Sequence, residues 1–209
     1  MQQISYFRRM RRFITSILLF LPAFAFAQEV KIIPRAEIDA EYETKFPVFR
    51  GFSYVDNSGS WKILLCENQD KITAKDTVNT ALQAVCLLED HGGYLEKWTL
   101  NDFIEKEMEE SHIWFTTSYC SFRDLDADGR IDPIIVYMTK DGNGIRRVKV
   151  FVVYKNEKFA VRAVENEFDN GRSLRYAPGF DKLPAPIRST VETLLQRMRK
   201  DRGLLLKNG

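Results

Sequence analysis

The chain has 209 residues, 44% of them hydrophobic and 12% aromatic, with 31 basic and 29 acidic side chains and a formal net charge of +2. This composition excludes a disordered or fibrous polypeptide, and the near balance of charge, without a dense Lys/Arg stripe, gives no case for a nucleic-acid partner. The slight basicity sits at one end: residues 1–27 hold Arg8, Arg9, Arg11 and Arg12 and no acid, leaving 27 basic and 29 acidic residues after them, or about −2.

That end reads as an export signal. Four arginines lead into the apolar run Phe13 to Phe26, which closes on Ala25-Phe26-Ala27 before polar sequence resumes at Gln28. A basic segment, an apolar segment and a small-x-small ending form a signal peptide, with cleavage expected after Ala27. An uncleaved anchor is the alternative, but the run falls short of the ~20 apolar residues a spanning helix needs. Met10 would begin a compact signal by itself. Neither arginine pair is followed by a twin-arginine pattern, and no cysteine ends the run, so general secretion to the periplasm or exterior is expected, with no transmembrane segment after cleavage.

The remaining 28–209 are long enough for one domain with its own core. A polar lead-in runs to Lys45. Val48 to Val55 alternates as a strand, Asp56-Asn57-Ser58-Gly59 turns the chain, and Trp61 to Cys66 returns, which predicts a hairpin. Asn68 to Thr80 has no strong period and reads as loop or short helix. Ala81 to Leu88 and Tyr94 to Leu100 read as a second hairpin around Asp90-His91-Gly92-Gly93. Asp102 to Glu110 allows a short helix or a ragged strand end, and its acidic cluster Glu105, Glu107, Glu109 and Glu110 is expected on a solvated face.

Ile113 to Phe122 is strongly β in composition and is expected as one strand, followed by Ile131 to Thr139, Val148 to Tyr154 and Phe159 to Val164. Residues 166–186, with Gly171, Pro178, Gly179, Pro184 and Pro186, read as irregular. Ile187, Val191, Leu194, Leu195 and Met198 then recur at helical spacing, which predicts an amphipathic helix over 187–200 docked on the sheet. The expected fold class is α+β, mainly antiparallel β in a hairpin meander over 46–165, with a C-terminal amphipathic helix.

Cys66, Cys86 and Cys120 all follow the leader and would meet an oxidising compartment. Two of them, Cys66 and Cys86, lie in strand-like runs, so a Cys66–Cys86 disulfide and buried free thiols both stand as readings.

The segment with most chemistry is Asp124-Leu125-Asp126-Ala127-Asp128-Gly129-Arg130-Ile131-Asp132. Four carboxylates at positions one, three, five and nine repel one another unless a hard cation accepts their oxygens. Glycine at position six allows the sharp turn that points the Arg130 carbonyl inward. The donor set, without His or Cys, suits Ca2+ better than zinc. Position twelve is Ile135 where an EF-hand places Glu, and the flanks read as strands.

This D-x-D-x-D-G-x-x-D run entering Pro133-Ile134-Ile135-Val136-Tyr137 resembles the calcium loops of FG-GAP and VCBS-type β repeats of exported proteins. The resemblance covers about fifteen residues and implies Asp124, Asp126, Asp128 and Asp132 as ligands. More broadly, from Trp61 to Val164, the order of a Trp-bearing strand, a long hairpin, an aromatic strand, the acidic run and a Tyr-bearing strand is similar to small exported bacterial proteins labelled surface polysaccharide biosynthesis. That likeness implies an envelope role and carries no assigned catalytic residue.

Three functional readings follow. The first is a non-catalytic envelope protein with a structural calcium loop, connected with surface polysaccharide, whose Trp61, Trp98 and Trp114 are candidates for stacking on sugar rings or for the core. The second is an envelope glycan hydrolase using paired carboxylates among Asp102, Glu105 and Glu109; His91 and His112 belong to no catalytic motif. The third is an inhibitor or protein-binding module that works through an edge strand.

Overall fold

The structure, a computed structural model, describes residues 29–74 and 76–207, so the export signal, Met10 and the expected cut after Ala27 lie outside the described residues. Strand β1 (Lys31–Ile32) and helix α1 (Arg35–Glu41) occupy the predicted polar lead-in. The two predicted hairpins then form as β2 (Val48–Asp56) with β3 (Gly59–Glu67), and β6 (Ala81–Asp90) with β7 (Gly93–Phe103). Between them a small ladder of β4 (Lys71–Ile72) and β5 (Thr77–Val78) stands apart. The first sheet has the order β1-β2-β3-β6-β7, all antiparallel.

The second sheet contains β8 (His112–Phe115), β9 (Ser121–Arg123), β10 (Asp132–Lys140), β11 (Ile145–Tyr154), β12 (Glu157–Val164) and β13 (Ser173–Tyr176). Its order is β13-β12-β11-β10, with β8 and β9 both pairing with β10. Helix α2 (Ala185–Arg202) follows. The chain is thus a mainly antiparallel α+β protein with one long C-terminal helix, and no helix among the described residues is long and apolar enough to cross a membrane.

Alternation decides how these parts stack. In β10, Ile135 and Tyr137 face the first sheet, where they join Ile63, Leu65, Leu82 and Trp98 in a shared core. Their neighbours Ile134, Val136 and Met138 face the other way and meet α2. Because both faces of β10 are covered, it reads as a continuous apolar run. The stripe predicted for α2 is the buried one: Ile187, Val191 and Met198 are fully enclosed, with Leu194 and Leu195 nearly so. Each contributes roughly 1.5–3 kcal/mol by leaving water. Pro184 and Pro186 fix the helix start, and Gly203 at φ 64° ends it beyond Arg199, Lys200 and Arg202, which favour the negative end of the helix dipole. On the outer face of the first sheet, Ile33 and Ile38 pack on Val48, Leu64 and Cys66, drawing α1 in over Gly51. The layers run α1, first sheet, second sheet, α2.

Several expectations change. The single strand expected over Ile113 to Phe122 is broken by a 3-10 turn at Thr117–Tyr119. Phe115 pairs with Tyr137 and Ser121 with Ile134, so six steps of chain on one side oppose three on β10, and the surplus loops out. Tyr119 uses the loop to enter the core under α2. The irregular 166–186 contains the edge strand β13, and the loop over Asn68 to Thr80 contains the β4–β5 ladder.

The Cys66–Cys86 disulfide is not formed, and all three cysteines are free. In the β3–β6 register Cys86 pairs with Ile63 and Cys66 with Gln83. Cys86 faces the shared inter-sheet core while Cys66 faces α1, so their side chains leave the sheet on opposite faces. Burial raises the Cys66 thiol to about 11 and Cys120 to about 12, which keeps both as unreactive thiols at neutral pH. Trp61 and Trp98 are also core residues, 7% and 6% exposed, and do not offer faces to a sugar. Trp114 is half-buried with its ring stacked on His112.

Candidate metal centre

The acidic run forms the connection from β9 to β10, so its ends are pinned one strand apart on the same sheet edge. Its carboxylates are used first to turn the backbone. Asp124 accepts from the N–H groups of Asp128 (3.2 Å) and Gly129 (2.8 Å), Asp126 accepts from Asp128 (3.2 Å), and Asp128 accepts from Arg130 (2.9 Å). These side-chain turns give the loop shape without sheet bonding. They also hold Asp124, Asp126 and Asp128 inward, with one oxygen from each lying within 4.8 Å of the others.

Gly129 is needed twice. Its φ of +84° lies in the left-handed region, and a Cβ there would stand 1.9 Å from the Asn57 side chain. Asn57 belongs to the β2–β3 turn of the other sheet, and its N–H donates to the Gly129 carbonyl at 3.0 Å. Asp56 beside it accepts the Ile131 N–H at 3.1 Å with one oxygen. With the other it accepts Ser58 N–H, Ser58 Oγ and Trp61 Nε1. From the third direction, Tyr154 donates its hydroxyl to Asp126 at 3.0 Å. The loop therefore sits between turns of both sheets.

Of the residues expected as ligands, the structure brings together Asp124, Asp126 and Asp128. Asp132 is not in that group: it is 2% exposed, and its Oδ2 accepts the Leu125 N–H at 2.8 Å, closing the loop from beneath. Burial raises its carboxyl to about 6, and the charges of Asp126, Asp128 and Asp124 push the same way, against the Leu125 bond. Arg130 is exposed, with its N–H on Asp128. Three convergent carboxylates plus a fourth that resists ionisation beside them make a pocket of concentrated negative charge. Oxygen donors alone, with no His or Cys in the loop, fit a hard dication of calcium type. Asp56, Asn57 and Tyr154 had no signal in the local pattern, because they join the site by tertiary contact.

The carboxylates considered for catalysis lie at the far end of the inter-sheet layer, and two of them, Asp102 and Glu105, are engaged with cations. Asp102 accepts from Lys149 and from Tyr137 Oη (2.6 Å), and it is lowered below the usual carboxylate range: burial opposes ionisation, but the Lys149 and Tyr137 bonds outweigh it. Glu105 pairs with Arg147. Glu109 is exposed in a left-handed turn. The solvated face expected for the acidic cluster fails at Glu110, which is 5% exposed and takes a two-pronged pair from Arg147 and a 2.6 Å bond from Thr139 Oγ1. Composition made it look solvated; its partner lies 37 residues on. Glu67 is buried too, accepting from Phe115 N–H and Asn79 Nδ2, and burial raises its carboxyl above the usual range. His112 accepts the Asn79 N–H on Nδ1 at 2.9 Å, while burial and Lys140 disfavour its charged form, and His91 lies in the exposed β6–β7 turn beside Asp90.

No family model, curated protein or solved structure matches the chain.

Proposed function

We propose that this chain is an exported, non-catalytic envelope protein in which the acidic loop binds Ca2+ as a structural latch between the two sheets. The observation that carries this reading is the convergence of Asp124, Asp126 and Asp128, with ligand oxygens within 4.8 Å, on a loop that also grips the Asp56–Asn57 turn of the other sheet. A dication there relieves the mutual repulsion of the carboxylates and fixes the loop against that turn. Export rests on the arginine-rich, apolar, Ala-x-Ala leader, and it supplies a compartment where calcium is abundant. The connection with surface polysaccharide rests on the likeness of sequence order from Trp61 to Val164, and the partner is an envelope glycan or protein. The cation-paired state of Asp102 and Glu105 favours this reading over a glycan hydrolase.

The test is a melting curve of the mature chain in chelator and in ~1 mM calcium. A site of Kd ~10⁻⁴ M, ordinary for exterior modules, would be about tenfold over its Kd and stabilise the fold by about 1.4 kcal/mol. That is a rise of roughly 3–6 °C in a domain of this size. Asp126→Ala should abolish the rise. The same melting point in chelator and calcium would overturn the latch. Absence of binding on an array of bacterial envelope glycans would remove the polysaccharide connection, and recovery of the protein from the cytosol with its leader intact would remove export.

A further inference from the structure

The second sheet ends in an open edge beside a groove. Strand β13 pairs with β12 and, among the described residues, with nothing on its other side. The Ala177 N–H bonds the Ala160 carbonyl at 2.8 Å, and the register then alternates, so the N–H and C=O groups of Leu174 and Tyr176 turn to the open edge. Their side chains face α2. Between this edge and the helix lies a groove of about 510 Å³ with an apolar floor of Leu174, Phe180 and Leu195. Tyr176 forms one wall, 37% exposed, with its ring 4.8 Å from that of Phe180.

The polar groups of the groove are not matched among themselves. Arg199 gives an Nη2 bond to the Lys207 carbonyl at 2.5 Å, while its Nε is buried with no hydrogen-bond partner. Nε is out of reach from outside, but Arg199 is half-exposed in the groove and has no carboxylate partner among the described residues, which leaves its charge open to one. Arg188 also lines the groove; its Nε donates to the Leu183 carbonyl at 3.0 Å, and it makes no ion pair among the described residues. Asp181 and Glu192 lie at the exposed rim, out of ion-pair range of both arginines. The free edge of β7 has a different character: a bulge sets Lys97 out of register between Glu96 and Trp98, a device that discourages strand addition. β13 has no bulge and no lysine.

We propose that this groove takes an extended, carboxylate-bearing peptide of another protein, which adds a strand to β13 and sets its carboxylate against Arg199. Backbone bonds to Leu174 and Tyr176 give such a peptide its register. Alternate side chains fall on Phe180 and Leu195, and the two half-buried guanidiniums supply the complementary charge. The inference does not depend on calcium in the acidic loop.

The test is selection of a random heptapeptide phage library on the full mature chain, with the enriched peptide then synthesised and titrated by calorimetry and by amide NMR. The proposal expects a peptide carrying an Asp, Glu or free C-terminus, with shifts centred on residues 173–177 and the facing side of α2. Arg199→Gln should weaken it roughly tenfold or more, as loss of a charge-assisted bond does. N-methylation of alternate peptide nitrogens should abolish binding, a readout that holds even if a variant folds poorly. Several results overturn the proposal: no enrichment, shifts elsewhere, an N-methylated peptide that binds as well as its parent, acetate alone reproducing the shifts, or a dimer of this chain that occupies the β13 edge.

Discussion

Arg147→Met tests whether the far end of the inter-sheet layer is held by charge. The substitution keeps an unbranched apolar stem and removes the guanidinium, whose Nε and Nη2 both bond Glu110 and whose Nη2 also donates to the Phe103 carbonyl of the first sheet. Two outcomes compete. If the pair behaved as a surface pair, loss would matter by about 0–1 kcal/mol. Glu105, with a side chain 44% exposed, belongs to that class. Glu110 does not: its side chain is 0% exposed, and without Arg147 it keeps as donors the Thr139 hydroxyl and the Glu105 N–H. A buried carboxylate stripped of its cation costs about 3–5 kcal/mol, and that term should win. Adding Glu110→Gln removes the stranded charge, so the double variant should be more stable than the sum of the two single losses by about 1–3 kcal/mol. Urea unfolding at fixed calcium measures all three, with an unchanged slope as the check on two-state behaviour. A loss below about 1 kcal/mol for Arg147→Met, at unchanged slope, would show that Glu110 reaches water and that the ion pair is not what closes this end.

Other outcomes follow from single contacts. Gly129→Ala forces a left-handed non-glycine residue, about 1–2 kcal/mol, and drives Cβ into Asn57, so thermal melts should show a loss at least that large, while Asn57→Gly in the same chain returns part of it. His112 titrates below 6.5 because burial and Lys140 disfavour its charge, against the Asn79 bond and Asp76. The unfolded chain therefore takes up the proton first, and the His112 contribution to stability, present above pH 6.5, is lost as pH falls toward its depressed folded value. His112→Asn should flatten the change in melting point between pH 7 and 5.5 relative to wild type; an identical pH profile would count against the neutral ring. Thiol titration of the denatured, unreduced protein should find three free thiols per chain, and a count of one would restore a disulfide.

Sequence carried most where the cause of structure is local. The α2 stripe is a matter of 3.6-residue spacing opened by Pro186, and the β2–β3 and β6–β7 hairpins follow from short turns between alternating runs. The acidic run was legible for the same reason, since Asp124, Asp126 and Asp128 need only their own loop to converge. What was hidden depends on distant partners. Glu110 looks solvated until Arg147 is placed beside it, and Asp56 looks like an ordinary turn residue until the Ile131 N–H, 75 residues away, is found on its carboxylate. The break at Thr117–Tyr119 was invisible because aromatic and β-branched residues fill both halves of the expected strand. Only the pairing of both halves with β10 shows that three residues are surplus.

The two polar ends of the sandwich differ in a way that bears on function. Strands β10 and β11 run between them, with Asp132 and Tyr154 at the end of the acidic loop, and Thr139 and Arg147 at the other. At the Arg147 end the chain supplies both signs of charge: Glu110 and Asp102 have Arg147 and Lys149, so closure needs nothing from outside. At the loop end it supplies three inward carboxylates and a fourth raised to about 6, with the Tyr154 hydroxyl and backbone N–H groups as the donors bonded to them. Hydrogen bonds from neutral donors shape such a loop without cancelling its charge, and Lys155, on the surface, offsets only part of it through Asp128 and Asp126. The asymmetry favours the loop over the more acidic segment from Asp102 to Glu110 as the place where a cation from the surroundings would act.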